Sequence, residues 1–273
     1  MTYATIMAHV ELGRGSSKRT KVAVDLANRY DATLIGVAAV VPSETPVVQG
    51  RVSEILTLNQ DSTRLVERLA DTKSRFLSAA SELEHVHWRE SFDFTTETLL
   101  RESRAADLIV VGRDQDSTVL APPLDVGRMI LQVGRPVLLV PPEVDYLKAD
   151  RILIGWKDTR EARRAVRDAI PLLQKAEEVI LLEVCDKGTE VAALERLADV
   201  EAYIGRHGVG LCTKIYTHET SETATELIRI AQDEGAGIIV AGAYGHRRLG
   251  EWVFGGVTRD FLSSSPICCL LSH

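Results

Sequence analysis

The chain is written twice, and that repetition limits its fold more than any single motif does. "TIMAHVE" (Thr5 to Glu11) and "RILIGWK" (Arg151 to Lys157) are short apolar runs, each followed by a helical pattern. In the later copy the pattern is "REARRAVRDAIPLL", which sets Ala162, Ala165, Val166, Ala169, Ile170 and Leu173 on one helical face. Asp158 and Glu161 stand at capping-box spacing at its start. The earlier copy offers Ser16 or Ser17 for the same task. Next come "ATLIGVAAV" and "EEVILLEVC", β-rich runs in matching places. Glu11 and Lys157 lie 146 residues apart (157 − 11), as do Ala38 and Val184 (184 − 38). Gly112 and Gly242 lie 130 apart (242 − 112), as do Pro136 and Pro266 (266 − 136). The earlier half therefore carries 16 extra residues (146 − 130), which fall in the amphipathic stretch "SEILTLNQDSTRLVERLADTKSRFLSAASELE".

Each half reads strand, helix, strand, helix, strand, helix, strand, loop, helix, strand. The third strands are "HVHWRE" and "LCTKIYT", and the last are "RPVLLV" and "SPICCLL". "LIVV" (from Leu108) and "IIVA" (from Ile238) are apolar throughout instead of alternating, as parallel strands covered on both faces require. The expectation is α/β: two tandem doubly wound domains, each with a five-stranded parallel sheet. They should span residues 1–141 and 151–273, with "PPEVDYLKAD" between them as linker.

A net charge of −7 and a pI near 5.6 argue against a general nucleic-acid binder, which needs a basic surface. No apolar run approaches the ~18 residues of a membrane span. "MTYATIMAHVEL" lacks the basic start and long apolar core of a signal peptide, so the cytoplasm is the expected compartment. None of the four cysteines forms a C-x-x-C pair, and they read as buried small hydrophobes. Cys268 and Cys269, adjacent on a strand, should point to opposite faces, so they cannot both join His273 at one zinc. No metal site is expected.

The stretch with the strongest chemical content is "IIVAGAYGHRRLGEWVFGGVTRDF" (Ile238 to Phe261). Ligands of doubly wound sheets bind beyond the carboxyl ends of the strands, where strand order reverses. Glycines there let backbone N–H groups approach an anion, and the N-terminus of the next helix adds partial positive charge. A polyphosphate is the natural occupant. A P-loop is excluded, because no G-x-x-x-x-G-K-[ST] occurs. "GRHGVG" (Gly205 to Gly210) lacks the dinucleotide-binding order and follows a helix instead of a strand.

Gly242-x2-Gly245-x9-Gly255 after a hydrophobic strand resembles the ATP-binding loop of the universal stress protein family. "FLSSSPICCLLSH" resembles that family's closing strand. The likeness covers essentially the whole chain as a tandem, two-domain member. It implies a stress-response protein with an adenine-nucleotide pocket built from three places. In the later half these are Gly155, Trp156 and Lys157; then Val184 and Cys185; then Gly242, Gly245, His246, Gly255, Gly256, Val257 and Thr258. The implied ligand is ATP, with Mg²⁺ as its companion ion, in a binding role with little turnover and no catalytic set. No Ser-His-Asp arrangement can be assembled from the sequence. The two halves are expected to pack as an intramolecular pseudo-dimer, with a further homodimer open. A slow adenine-nucleotide hydrolase and a nucleotide-free regulatory module are the other two readings.

Two residues depart from the family's pattern. Lys157 stands where the family usually carries an Asp beside the ribose, and Gly256 stands where it carries Ser or Thr. The earlier half departs further. Subtracting 130 sets Gln115, Asp125, Val126 and Arg128 against Gly245, Gly255, Gly256 and Thr258, so only Gly112 of the glycines survives. That half is expected to hold no nucleotide. Trp252 and Phe254 read as packing anchors, His9 as a satisfied core or rim histidine, and Thr220 or Ser221 as a helix cap.

Overall fold

The computed structural model describes residues 2–13, 16–41, 52–113, 123–210, 212–218, 223–245 and 256–273. The first half runs β1 (Thr5–His9), α1 (Ser16–Tyr30), β2 (Thr33–Ala39), α2 (Val52–Ala79), β3 (Val86–Ser91), α3 (Thr95–Glu102), β4 (Leu108–Gly112), α4 (Val126–Gln132) and β5 (Val137–Val140). The second runs β6 (Arg151–Trp156), α5 (Arg160–Leu173), β7 (Glu178–Asp186), α6 (Glu190–Gly205), β8 (Cys212–His218), α7 (Thr223–Asp233), β9 (Ile238–Gly242), α8 (Gly256–Ser264) and β10 (Cys268–Ser272). The extra length of the first half falls where periodicity places it: α2 has 28 residues against 16 in α6.

The expected pair of five-stranded sheets is a single sheet of ten, in the order β3-β2-β1-β4-β5-β10-β9-β6-β7-β8. Within each half all pairs are parallel, and strand order reverses between β1 and β4 and again between β6 and β9. The halves meet through β5 and β10, which pair antiparallel, Leu138 opposite Leu270. Each is the last strand of its half and would otherwise be an open edge, a liability that pairing removes.

Because side chains alternate along a strand, each parallel strand feeds two cores. Ile6, Ala8, Leu108 and Val110 join Ile152, Ile154, Val240 and Leu270 on one face. Met7, Ile109 and Val111 join Leu153, Ile239 and Leu271 on the other, with Phe261 of α8. Both layers run through the seam. Cys268 and Cys269 separate onto opposite faces, and burial, the leading cause for each, pushes both thiols up to about 12. Among the described residues no group of His, Cys, Asp and Glu can hold a metal ion, and no helix is long and apolar enough to cross a membrane.

The stretch expected to be a plain linker is partly core. Leu147 and Ala149 are buried, and a Cβ on Gly237 would lie 1.8 Å from the Lys148 carbonyl oxygen. The seam has polar ties as well. The Tyr3 hydroxyl donates to the Asp168 carbonyl at 2.7 Å and Tyr30 to that of Pro171 at 3.0 Å, both on α5. Arg113, just after β4, donates to the Ser265 carbonyl at 2.9 Å.

Candidate functional site

At the carboxyl end of the second half the strands finish at different heights. Trp156 is the last residue of β6 and pairs with Glu183, so β7 continues past it through Val184, Cys185 and Asp186 as a wall paired only on its β8 side. β9 stops level with β6, Ala241 opposite Gly155. The first residues of α8 face the same gap. The result is a cavity of about 510 Å³ at the strand-order reversal.

Ten of the twelve residues expected from the sequence line this cavity. Gly155, Trp156 and Lys157 come from the end of β6, and Val184 and Cys185 from β7. Gly242, Gly245, Gly256, Val257 and Thr258 come from the glycine segment. His246 and Gly255 lie outside the described residues, as do Trp252, Phe254, Gln115, Thr220 and Ser221.

The glycines differ in what their bareness serves. A Cβ on Gly242 would lie 2.5 Å from the Ala162 nitrogen and 2.6 Å from the Glu161 carbonyl carbon. That glycine lets the first turn of α5 close onto the end of β9. A Cβ on Gly245 would lie 3.2 Å from both Glu161 Oε2 and Thr159 Oγ1. On Gly256 it would meet nothing within 4 Å. Tyr244 takes the left-handed conformation, at φ 60°, that a tyrosine seldom adopts. Its N–H donates to the buried Thr258 hydroxyl at 3.2 Å, so the start of the segment is tied to the start of α8. His273 Nδ1 donates to the Ala243 carbonyl at 3.0 Å and holds the turn from the other side.

The α5 cap stands one residue from its expected place. Thr159 is the N-cap, accepting from the Ala162 N–H at 3.3 Å. Asp158 pairs with Arg163 at 2.5 Å instead. Glu161 is buried beside Gly242 and Gly245. Burial pushes its carboxyl up, but hydrogen bonds from Arg160, its own N–H and Thr159 outweigh that, and the net direction is below the ordinary value.

The cavity holds charges of both signs. Lys157 and the N-terminus of α8, whose first N–H groups have no partner within the helix, supply positive charge. Glu183 and Asp186 make the β7 side acidic, with Glu183 ion-paired to Arg196 of α6. Val184, Cys185, Leu227 and Ala241 add apolar surface to the same lining. Such a site suits a ligand with an anionic end, an apolar middle and hydroxyl groups. Sequence reasoning missed Thr159, Glu183, Asp186, Arg196, Tyr244 and Leu227. Thr159 was detectable as a cap; Asp186 becomes lining because β7 outruns β6, and Arg196, Leu227 and Tyr244 are brought in from α6, α7 and the turn after β9.

The equivalent corner of the first half is built otherwise. Asp125, the N-cap of α4, accepts from the Arg128 N–H at 2.9 Å, so the helix end carries its own carboxylate. Arg128 reaches Glu97 at 2.6 Å. Glu11, in the place of Lys157, is buried and ion-paired with buried Arg19 at 3.1 Å. His9 lies beside them, 3.9 Å from Glu11. Burial, with the Arg19 charge second, lowers its pKa to about 3, so the imidazole is neutral.

The profile of the universal stress protein family matches residues 148–273. A universal stress protein from Archaeoglobus fulgidus DSM 4304 superposes with a TM-score of 0.68 at 15% identity, over 97% of each chain. A functionally unknown protein from Pseudomonas aeruginosa PAO1 superposes with a TM-score of 0.60 at 15% identity, over 99% of this chain and 92% of its own. At such identities these likenesses show the fold alone. No curated protein matches the chain in sequence.

Proposed function

From the match of residues 148–273 to the universal stress protein family's profile, we propose that the cavity binds ATP or another adenine nucleotide in a regulatory, stress-related role. One observation carries the reading: Lys157 and the N-terminus of α8 converge on the same cavity as the apolar end of β7. In this reading the phosphates lie at Gly256, Val257 and Thr258 with Lys157 beside them, as helix N-termini favour anions. The base lies against Val184 and Cys185, and the ribose faces Glu183 and Asp186. The lysine thus answers the loss of the family's aspartate by serving the phosphates. The acidic task passes to β7. The Thr258 hydroxyl accepts from Tyr244 and keeps its own hydrogen to give to a phosphate oxygen. His246 and Gly255 belong to the same proposed site.

The first half, residues 1–141, is on this reading a brace without nucleotide. Its helix end is already occupied by Asp125, and a bound phosphate would face that carboxylate. No residue is assigned to catalysis or to a metal.

Calorimetric titration tests the proposal. One ATP should bind per chain. Lys157→Ala should weaken ATP about tenfold, the loss of one charge-assisted contact, roughly 1.4 kcal/mol, and leave adenosine unchanged. Equal weakening of both ligands would remove the phosphate role from Lys157, and absence of binding by the parent protein would end the reading.

A further inference from the structure

A second cavity, of about 530 Å³, lies between α5 and α6. Trp156, Val166, Val200 and Tyr203 form its apolar wall. Trp156 and Arg196 also line the first cavity, so the two share a partition. The Trp156 indole is 8% exposed and its Nε1–H, buried, has no hydrogen-bond partner, a state that folded proteins rarely leave uncompensated. Tyr203 stays 37% exposed although it is a large, mainly apolar side chain.

The charges around this wall are unequal. Arg163, Arg167 and Arg196 face Asp158 and Asp199. Arg163 is paired with Asp158, and Arg196 with Glu183 across the partition. Arg167 lines the same cleft, and its charge acts from a distance on the neighbouring Asp168 carboxylate. A guanidinium beside an aromatic and aliphatic wall is the arrangement that accepts a planar anion on an apolar body, since it stacks and offers paired N–H donors.

We propose that the α5–α6 cleft is a second ligand site, for a small amphipathic anion: an aromatic or aliphatic body bearing one carboxylate or sulfonate. The body lies on Trp156, Val200 and Tyr203, and the charge meets Arg167 and Arg163. Asp199 sets the limit of one negative group, because a second would face its carboxylate. The proposal stands apart from the nucleotide reading, since Arg167, Val200 and Tyr203 line only this cleft.

The probe is 8-anilinonaphthalene-1-sulfonate, titrated by its fluorescence against the full chain without nucleotide. One saturable site is expected. Arg167→Glu and Tyr203→Ser should each weaken it about fivefold or more. Arg167→Gln should give a smaller loss and serves if charge reversal disturbs the fold. Changing the exposed Phe92 and Phe94 to serine, far along the sheet at the end of β3, should leave the affinity as it was. Saturating ATP should not displace the probe. No saturable binding, unchanged affinity in both cleft variants, loss in the Phe92/Phe94 variant, or competitive displacement by ATP would each overturn the site.

Discussion

Gly237 and Gly242 lack side chains for the same physical reason, a backbone passing too close for a Cβ. The nearest atoms are the Lys148 carbonyl oxygen at 1.8 Å and the Ala162 nitrogen at 2.5 Å. Neither is the end of a flexible side chain, so Gly237→Ala and Gly242→Ala should each cost about 3 kcal/mol, the upper range for overpacking, measured by urea denaturation. Gly256→Ser, with open space around the position, should leave the denaturation midpoint unchanged. A buried histidine gives the residue scale its pH dependence. His9 binds its proton with a pKa of about 3 when folded, against about 6.5 when unfolded. Its contribution is therefore complete above pH 6.5 and is lost as pH falls toward 3. Stability should drop by about 2 kcal/mol between pH 8 and pH 5 from this group alone, and His9→Asn should flatten that part of the profile. The glycines around Gly242 were legible in the sequence, but their causes were not. The atoms that forbid a side chain there belong to α5, and only the closed fold brings them near.

Among the elements, α5 shows what pattern alone can fix. Its length and buried face follow from spacing, and Ala162, Ala165, Val166, Ala169, Ile170 and Leu173 are all buried. Its start does not, because Asp158 and Thr159 are both good caps and the choice depends on Arg163 taking the Asp158 carboxylate. Thr159→Ala should cost about 1 kcal/mol by thermal melting, whereas Asp158→Ala should cost less than half of that, the usual range of an exposed ion pair. β7 is the opposite case. "EEVILLEVC" announces a strand, yet the three residues by which it overtops β6 make a binding wall that no period reveals. The candidate site was thus half legible: its glycines and strand ends were, while Glu183, Asp186 and Arg196 were not.

For the whole molecule, the repeat foretold two copies of one topology but not how they join. Nothing in "RPVLLV" or "SPICCLL" says that these strands pair with each other. Both read as ordinary last strands, and the antiparallel register of Leu138 with Leu270 arises from the meeting of two edges. Since both cores cross that seam, calorimetry should show one unfolding transition, and Leu138→Asp should lower the stability of both halves together. Two resolved transitions would mean the layers are not continuous. The tether from Pro141 to Asp150 has a further effect. Two separate polypeptides meeting along such an edge would come apart on dilution, while here the partner is always at hand. Joining the copies in one chain therefore lets the upstream corner hold Arg19, Glu11 and Asp125 where the downstream one holds Lys157 and bare glycines, with no cost to their pairing.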